Sequence, residues 1–312
     1  MSVIPVAPVI AVVGVTASGK SDLALALARR LGGEIVNGDA MQLYRGMDIG
    51  TAKLPIEARW GIAHHQLDVL DVRQEASVAA YQRGARLDLA GIRSRGRRPI
   101  LVGGSGLYVR AALDRLEIPP TDPAVRGRLR DELAQEGVEA MHVRLERVDP
   151  IAAQSIQAKN DRRVVRALEV IEITGRPFSA TLPTRDYELP TITIGLRVPR
   201  AKLDALLAAR VHRMWDEGLL DEVRRLDAAG LREGRTAAKA LGYRQALAHL
   251  DGLCSAEQAI EETITRTRRF ARRQESWFRA DPRVHWLEYD DQRLAERARE
   301  VVDWAGQTTH EQ

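Results

Sequence analysis

The 312-residue sequence holds a single cysteine, Cys254. One thiol cannot close an internal disulfide, so covalent staples are excluded and a reducing compartment is expected. Long hydrophobic runs are missing as well. The apolar N-terminal stretch, residues 3–15, is interrupted by Pro5 and Pro8 and is too short to span a bilayer. No positively charged segment precedes it, which argues against an export signal. Internal repeats and low-complexity tracts are absent. These absences lead to the expectation of a soluble cytoplasmic protein without membrane attachment. Hydrophobic residues make up 45% of the chain, enough for one large or two modest domains. The net charge of +4 and the sequence pI near 9.4 are mild, but the basic residues are unevenly spread.

What is present begins at residue 14. Gly14-Val15-Thr16-Ala17-Ser18-Gly19-Lys20-Ser21 reads G-x-x-x-x-G-K-S and follows the apolar run 9–13. This is a P-loop between a buried strand and a helix over 21–31. Gly14 and Gly19 let the backbone curl so that successive N–H groups turn toward phosphate oxygens. Lys20 supplies charge for the terminal phosphates, and the Ser21 hydroxyl can ligate Mg²⁺. The helix N-terminus faces the anion. The chain therefore handles a di- or triphosphate; the alternative is a strand–helix turn without a ligand.

Short apolar runs alternate with helical patterns over the first hundred residues. Strands are predicted at 9–13, 34–37 and 99–102, with helices at 21–31 and 76–93. This rhythm predicts an α/β fold with a parallel sheet covered on both faces. Ligands of such sheets sit at the carboxyl ends of strands. A break at Pro119-Pro120-Thr121-Asp122-Pro123 opens a charged stretch with helical patterns at 124–137, 138–146, 150–157 and 161–174. Residues 191–198 return to a strand pattern. The chain thus divides into an α/β core of 1–120 and 191–312, with a mostly helical C-terminal third, and a helical insertion at 121–190.

An absence in the strand at 99–102 narrows the chemistry. P-loop hydrolases end a strand with an acid that holds Mg²⁺ and orders water. Here Val102 runs into Gly103-Gly104-Ser105-Gly106. Those glycines suggest close approach of a ligand, with Ser105 as a polar contact; a plain tight turn is the alternative. Asp39 follows the second strand on the same edge, where it can act as a general base, ligate metal through water, or cap a turn. Arg210 falls on the stripe 203, 207, 210, 214 of a helix expected over 202–228. A guanidinium on a core-facing stripe needs an anion, either a ligand or a buried carboxylate. Diphosphate matches its fork.

Residues 266–279 contain six arginines (Arg266, Arg268, Arg269, Arg272, Arg273 and Arg279) against one acid. They flank a helical face of Ile260, Ile264, Thr267, Ala271 and Phe278. That density resembles a footprint on a nucleic-acid backbone, although a solvated charged face has the same pattern. Arg162, Arg163 and Arg166, with Arg126, Arg128 and Arg130, extend the basic surface. Lys239-Ala240-Leu241-Gly242-Tyr243-Arg244 places a ring beside two cations near a bend, where an unpaired base can stack. His64-His65 with Asp68 and Asp71 has poor spacing for zinc.

Taken together, these segments resemble the tRNA dimethylallyltransferase (tRNA isopentenyltransferase) family of bacterial type. The resemblance rests on 14–21 (GVTASGKS), 37–53 (NGDAMQLYRGMDIGTAK), 64–72 (HHQLDVLDV), 99–108 (PILVGGSGLY), 160–175 (NDRRVVRALEVIEITG), 242–245 and 272–279 (RRQESWFR), in order along nearly the whole chain. It implies a P-loop NTPase-like fold and transfer of a prenyl group from dimethylallyl diphosphate to the exocyclic amine of the adenosine 3′ of the tRNA anticodon. The P-loop, through Gly14, Thr16, Ala17, Ser18, Gly19, Lys20 and Ser21, would hold the donor's diphosphate, with Mg²⁺ on Ser21. Asp39 maps to the general base, Arg210 to the diphosphate-binding arginine and Ser105 to the hydroxyl contact. The tRNA-contacting stretches map to Asp39, Ala40, Met41 and Gln42, to the Arg162–Arg163–Arg166 region, and to Lys239, Gly242, Tyr243 and Arg244. Arg126, Arg269 and Arg273 would join them, clamping the anticodon stem-loop. Two departures stand out: Ala40 where Ser is usual, so no hydroxyl contact carries over, and Val15 where Pro is common. The sequence has no C-terminal Cys/His zinc module. Nothing demands a dimer, and a monomer is expected.

Two other readings share these residues. A small-molecule or nucleoside kinase would use the same P-loop and Asp39 with ATP, but gives no reason for the arginine cluster. An RNA-binding module with a vestigial P-loop would bind without turnover.

Overall fold

The computed structural model describes residues 7–181 and 185–308. Residues 3–6 of the N-terminal apolar run lie outside them. Two compact units emerge, Met1–Leu113 with Tyr187–Gln312, and Asp114–Asp186.

The larger unit is built on β1 (Val9–Gly14), whose six residues are all buried. Its Val/Ile content suits a strand covered on both faces. The chain continues through α1 (Lys20–Leu31), β2 (Gly33–Asn37), β3 (His64–His65), α2 (Val78–Ser94), β4 (Arg98–Gly103) and α3 (Gly106–Leu113). After the insertion, whose helices are α4 (Pro123–Val148), α5 (Pro150–Ser155) and α6 (Asp161–Thr174), come β5 (Thr191–Arg197), α7 (Arg200–Asp216), α8 (Leu219–Ala228), α9 (Tyr243–Leu250), α10 (Ala256–Arg279), β6 (Val284–Glu288) and α11 (Leu294–Thr308). The six strands run parallel in the order β3-β2-β4-β1-β5-β6. Register matters for the site. Val13 pairs with Gly103 and Gly195, and Asn37 with Val102. The loops after β1, β2 and β4 therefore leave the sheet at one level, along one edge.

One core layer joins Leu23 and Leu27 of α1 to Ile10, Ile35, Ile100 and Ile194 of the sheet and to Ala298 and Val302 of α11. Burying each such Leu or Ile side chain contributes roughly 1.5–3 kcal/mol. A second cluster packs Tyr44, Met47 and Val72 against Leu219, Val223 and Tyr243. Among the described residues no helix is long and apolar enough to cross a membrane.

Two expectations are corrected here. The single helix over 202–228 is two helices, because Gly218 takes φ 98° and ends the helical path between α7 and α8. The smaller unit begins at Asp114 and ends at Asp186, not at 121 and 190. Its proline-rich opening folds with its helices: Arg166 donates to the carbonyls of Pro119 (2.7 Å) and Pro120 (2.9 Å). At the other end, the Pro190 carbonyl accepts from Val9 N–H (2.8 Å), so 187–190 belongs to the sheet unit. Within the insertion, Gly137 (φ 83°, ψ 163°) breaks the helical path of α4 at the point where two helices were read. Leu129, Met141, Leu145, Val164 and Leu168 form its core.

Candidate active site

The P-loop is tightly wound. Gly14, Ala17 and Gly19 have φ of 141°, 64° and 82°. Left-handed backbone at the non-glycine Ala17 costs of order 1 kcal/mol, a strain typical of ligand cradles. Ser18 is buried and its Oγ donates to the Val15 carbonyl (2.8 Å), bracing the loop from inside. The Lys20 ammonium donates to the same carbonyl. Gly19 caps α1 without a side chain, leaving that helix N-terminus open to an anion. Ser21, on the first turn of α1, is exposed.

Three charged groups converge beside this loop. Burial and the nearby Arg210 push the Lys20 ammonium down to about 7, while Asp39 works in the opposite direction. Arg210 is itself held below its ordinary value by burial, against the pull of Asp39 and with added repulsion from Arg213. Among the described residues no carboxylate forms an ion pair with Arg210; its only hydrogen bond is a long one to the Thr51 carbonyl (3.5 Å). The buried salt bridge weighed for Arg210 is therefore not what the structure contains. Two cations held close together without a paired acid form a site short of negative charge.

The anion should restore the Lys20 proton. Empty, the ammonium is half-deprotonated near pH 7; with diphosphate bound, the charged form is favoured and its pKa rises. Affinity then falls as pH rises above 7, by up to about tenfold per unit. Calorimetry with an inert alkyl diphosphate analogue at pH 8, in buffers of different ionisation enthalpy, should show uptake of close to one proton. Flat affinity from pH 7 to 9 with no proton uptake would remove this account.

Asp39 is aimed rather than merely placed. Its Oδ1 accepts from Met41 N–H (3.0 Å), capping a short 3₁₀ turn over Ala40–Leu43. Among the described residues no group hydrogen-bonds Oδ2. Asn37, buried at the end of β2, fixes the backbone on both sides: Oδ1 accepts from Asp39 N–H and Nδ2 donates to the Asp39 and Gln66 carbonyls, all at 2.9 Å. Ser105 joins this turn, its Oγ accepting from Ala40 N–H (3.3 Å). Gln42 donates to the Thr51 carbonyl (3.1 Å), the same oxygen that Arg210 reaches. The carboxylate, Ser105, the P-loop lysine and Arg210 thus share one neighbourhood.

A profile of the IPP transferase family matches residues 42–281. The tRNA dimethylallyltransferase of Streptomyces avermitilis is 62% identical over 288 residues, 92% of each chain. That of Thermobifida fusca is 60% identical over 299 residues, 94% of each chain. The chain belongs to the IPP transferase family. Among solved structures, the tRNA isopentenylpyrophosphate transferase of Bacillus halodurans superposes with a TM-score of 0.71 at 37% identity, over 97% of this chain and 99% of that one. A eukaryotic dimethylallyltransferase described as acting on tRNA gives 0.81 at 26% identity, over 98% and 80%. This member of the family is therefore an enzyme with the P-loop NTPase-like fold, and the kinase reading is not favoured.

The basic surface of this family member is narrower than its arginine count implies. On α10, Arg266 pairs with Glu262, Arg268 reaches Asp204 and Arg279 pairs with Glu275. Arg269, Arg272 and Arg273 are exposed and form no ion pair among the described residues. Lys239, at the end of a 3₁₀ turn, and Arg244, on α9 just past the Gly242 bend, are exposed too. In the insertion, Arg162 and Arg163 are exposed and form no ion pair among the described residues.

Three RNA-contacting expectations are corrected. Tyr243 is fully buried and its hydroxyl donates to Glu222, so no base stacks on it. Arg126 and Arg166 both bind the fully buried Glu169, at 2.8 and 2.9 Å. Burial works against the Glu169 charge, but the hydrogen bonds from these two arginines prevail and hold the carboxyl below its usual range. Both arginines are thus structural. His65, from the pair considered for metal, binds Glu34 (2.8 Å) and His64 binds the Ile62 carbonyl (2.8 Å).

The glycines after β4 are also reread. What approaches them is α10 of the chain itself. A Cβ on Gly104 would lie 2.3 Å from Gln274 Nε2, and one on Gly106 2.2 Å from the Trp277 ring. Sequence reasoning missed Gln274, although it interrupts the apolar face between Ala271 and Phe278. It also missed Glu222, which accepts from the N–H groups of Asp48, Ile49 and Gly50 and so anchors the loop carrying Thr51. Buried Lys53 closes that loop on Asp48 (2.7 Å), Asp68 (2.6 Å) and the Tyr44 carbonyl (2.8 Å).

Proposed function

We propose that this chain transfers a dimethylallyl group from dimethylallyl diphosphate to the exocyclic N6 amine of the adenosine 3′ of the anticodon in tRNA, in the cytoplasm and as a monomer. The observation that carries the reading is an oriented carboxylate, Asp39, with one oxygen unengaged, beside the cationic pair Lys20 and Arg210 at the P-loop. The amine nitrogen attacks C1 of the donor. The C1–O bond breaks and its electron pair leaves on the diphosphate. The nitrogen proton passes to Asp39 Oδ2, which offsets the weak nucleophilicity of a ring-conjugated amine. Lys20, Arg210 and the open N-terminus of α1 stabilise the charge that grows on the bridging oxygen. Ser105 holds the Asp39 turn through Ala40 N–H. The target base must leave the loop stack to reach Asp39.

Mg²⁺ fits the residues present. Ser21 is exposed at the helix start, and among the described residues no cluster of His, Cys, Asp or Glu offers a protein cage. One hydroxyl with diphosphate oxygens and waters is the ligand set this ion accepts. When bound, it would add positive charge to the leaving group.

The deciding assay supplies unmodified tRNA, Mg²⁺ and either dimethylallyl diphosphate or ATP, and reads nucleoside masses. Prenylated adenosine with the first donor alone is expected; no mass change with it would defeat the proposal. The unpaired arginines of α10 give a second test. Arg273→Ala should weaken tRNA binding and lower the slope of log K against log salt by about 0.7–0.9. An unchanged slope would mean that Arg273 contacts no phosphate.

A further inference from the structure

Gln274 joins parts of the site that are distant in sequence. It is 5% exposed. Its Oε1 accepts from Thr16 N–H of the P-loop (2.9 Å), and its Nε2 donates to the Gly104 carbonyl (2.9 Å). Gly104 precedes Ser105, which holds the Asp39 turn. On the same helix, the neighbouring Arg273 and, one turn earlier, Arg269 are exposed. One residue thus ties the donor cradle, the acceptor turn and the cationic helix together. A neutral amide does this with a single side chain, accepting at one end and donating at the other. A carboxylate accepts from Thr16 but repels the Gly104 oxygen, and an aliphatic chain leaves a buried donor and a buried acceptor unmet.

Resting on the prenyl-transfer reading above, we infer that Gln274 is a positioning residue that couples the two substrates: RNA phosphates gripping α10 fix the helix, and through the amide bridge they fix the P-loop in its donor-binding form. RNA then tightens donor binding, and by linkage donor tightens RNA binding equally. The bridge needs no contact with either substrate, because it acts on the relative placement of Thr16 and Ser105.

The test measures affinity for an inert thio-analogue of dimethylallyl diphosphate with and without a synthetic anticodon stem-loop, on the full chain. In the unsubstituted enzyme the stem-loop should tighten the analogue about 5–150-fold. In Gln274→Met, similar in volume, that ratio should fall to about one, while the stem-loop's own affinity, measured without the analogue, and its salt slope stay unchanged. Gly104→Ala, whose methyl displaces the amide from the opposite side, should lose the same ratio with α10 intact. Hydrogen exchange at Thr16 N–H in the unsubstituted enzyme should slow when the stem-loop binds. A full ratio in both variants, or Thr16 exchange indifferent to RNA, would overturn the coupling. An unsubstituted enzyme that binds the analogue but shows no enhancement by RNA would also overturn it. Failure of the prenyl-transfer reading looks different: no analogue binding at all.

Discussion

Asp39→Asn should cut kcat by about 10²–10⁴-fold and leave tRNA affinity within about twofold. Asparagine is the informative replacement. Its Oδ1 can still accept from Met41 N–H, so the cap of the 3₁₀ turn and the Ser105 contact survive. What is lost is the second oxygen as a proton acceptor. Asp39→Ala removes the cap as well, at a cost of about 1 kcal/mol, and mixes folding with chemistry. A smaller effect should accompany the loss of kcat. Asp39 favours the charged forms of Lys20 and Arg210, so its neutralisation should weaken donor binding above pH 7. Single-turnover rates and stem-loop titrations separate the two. A kcat within tenfold of the unsubstituted enzyme would show that another group takes the proton. Collapse of tRNA affinity at normal kcat would make Asp39 a binding residue.

How much of this was legible in the sequence depended on range. The P-loop was legible because its parts are consecutive, and β1, β2 and β4 because buried parallel strands give short apolar runs closed by glycine or polar turns. Arg210 was legible as a cation on an apolar stripe, a local conflict that calls for an anion from a ligand or a buried carboxylate. Sheet order was not readable, since it depends on crossovers that leave no local pattern. The supporting hydrogen bonds were hidden for the same reason. Gln274 meets Thr16 across 258 positions, and Glu222 meets Asp48 across 174. Tyr243 was misread because an aromatic between cations looks the same whether it faces solvent or a buried carboxylate. The arginine-rich helix was legible only as a charge count. Counting charge found it, but only geometry shows that Arg266, Arg268 and Arg279 are occupied by acids while Arg269, Arg272 and Arg273 are not.

Arg210 yields the second large effect, and it is an exchange of stability for function. Burial depresses its charge, no acid among the described residues pairs with it, and Lys20 and Arg213 repel it. Such a group destabilises the empty enzyme, and on the proposed reading it is kept for what it does when diphosphate arrives. Arg210→Met keeps the flexible apolar stem on the stripe with Leu203 and Leu207 and removes the guanidinium. Transition-state stabilisation should drop by about 10²–10³-fold in kcat, the usual loss for one oriented donor to a developing anion. The melting temperature of the ligand-free protein should rise. Relieved of its repulsive neighbour, Lys20 should titrate higher, so the pH at which donor-analogue affinity begins to fall should move upward from about 7. Arg210→Lys keeps a charge without the fork and should recover little of the rate, because a point charge cannot span two diphosphate oxygens. The three readouts must move together. A variant that loses activity while also losing thermal stability, with the pH dependence of binding unmoved, would place Arg210 in the scaffold and leave the P-loop lysine as the only side-chain cation acting on the leaving group.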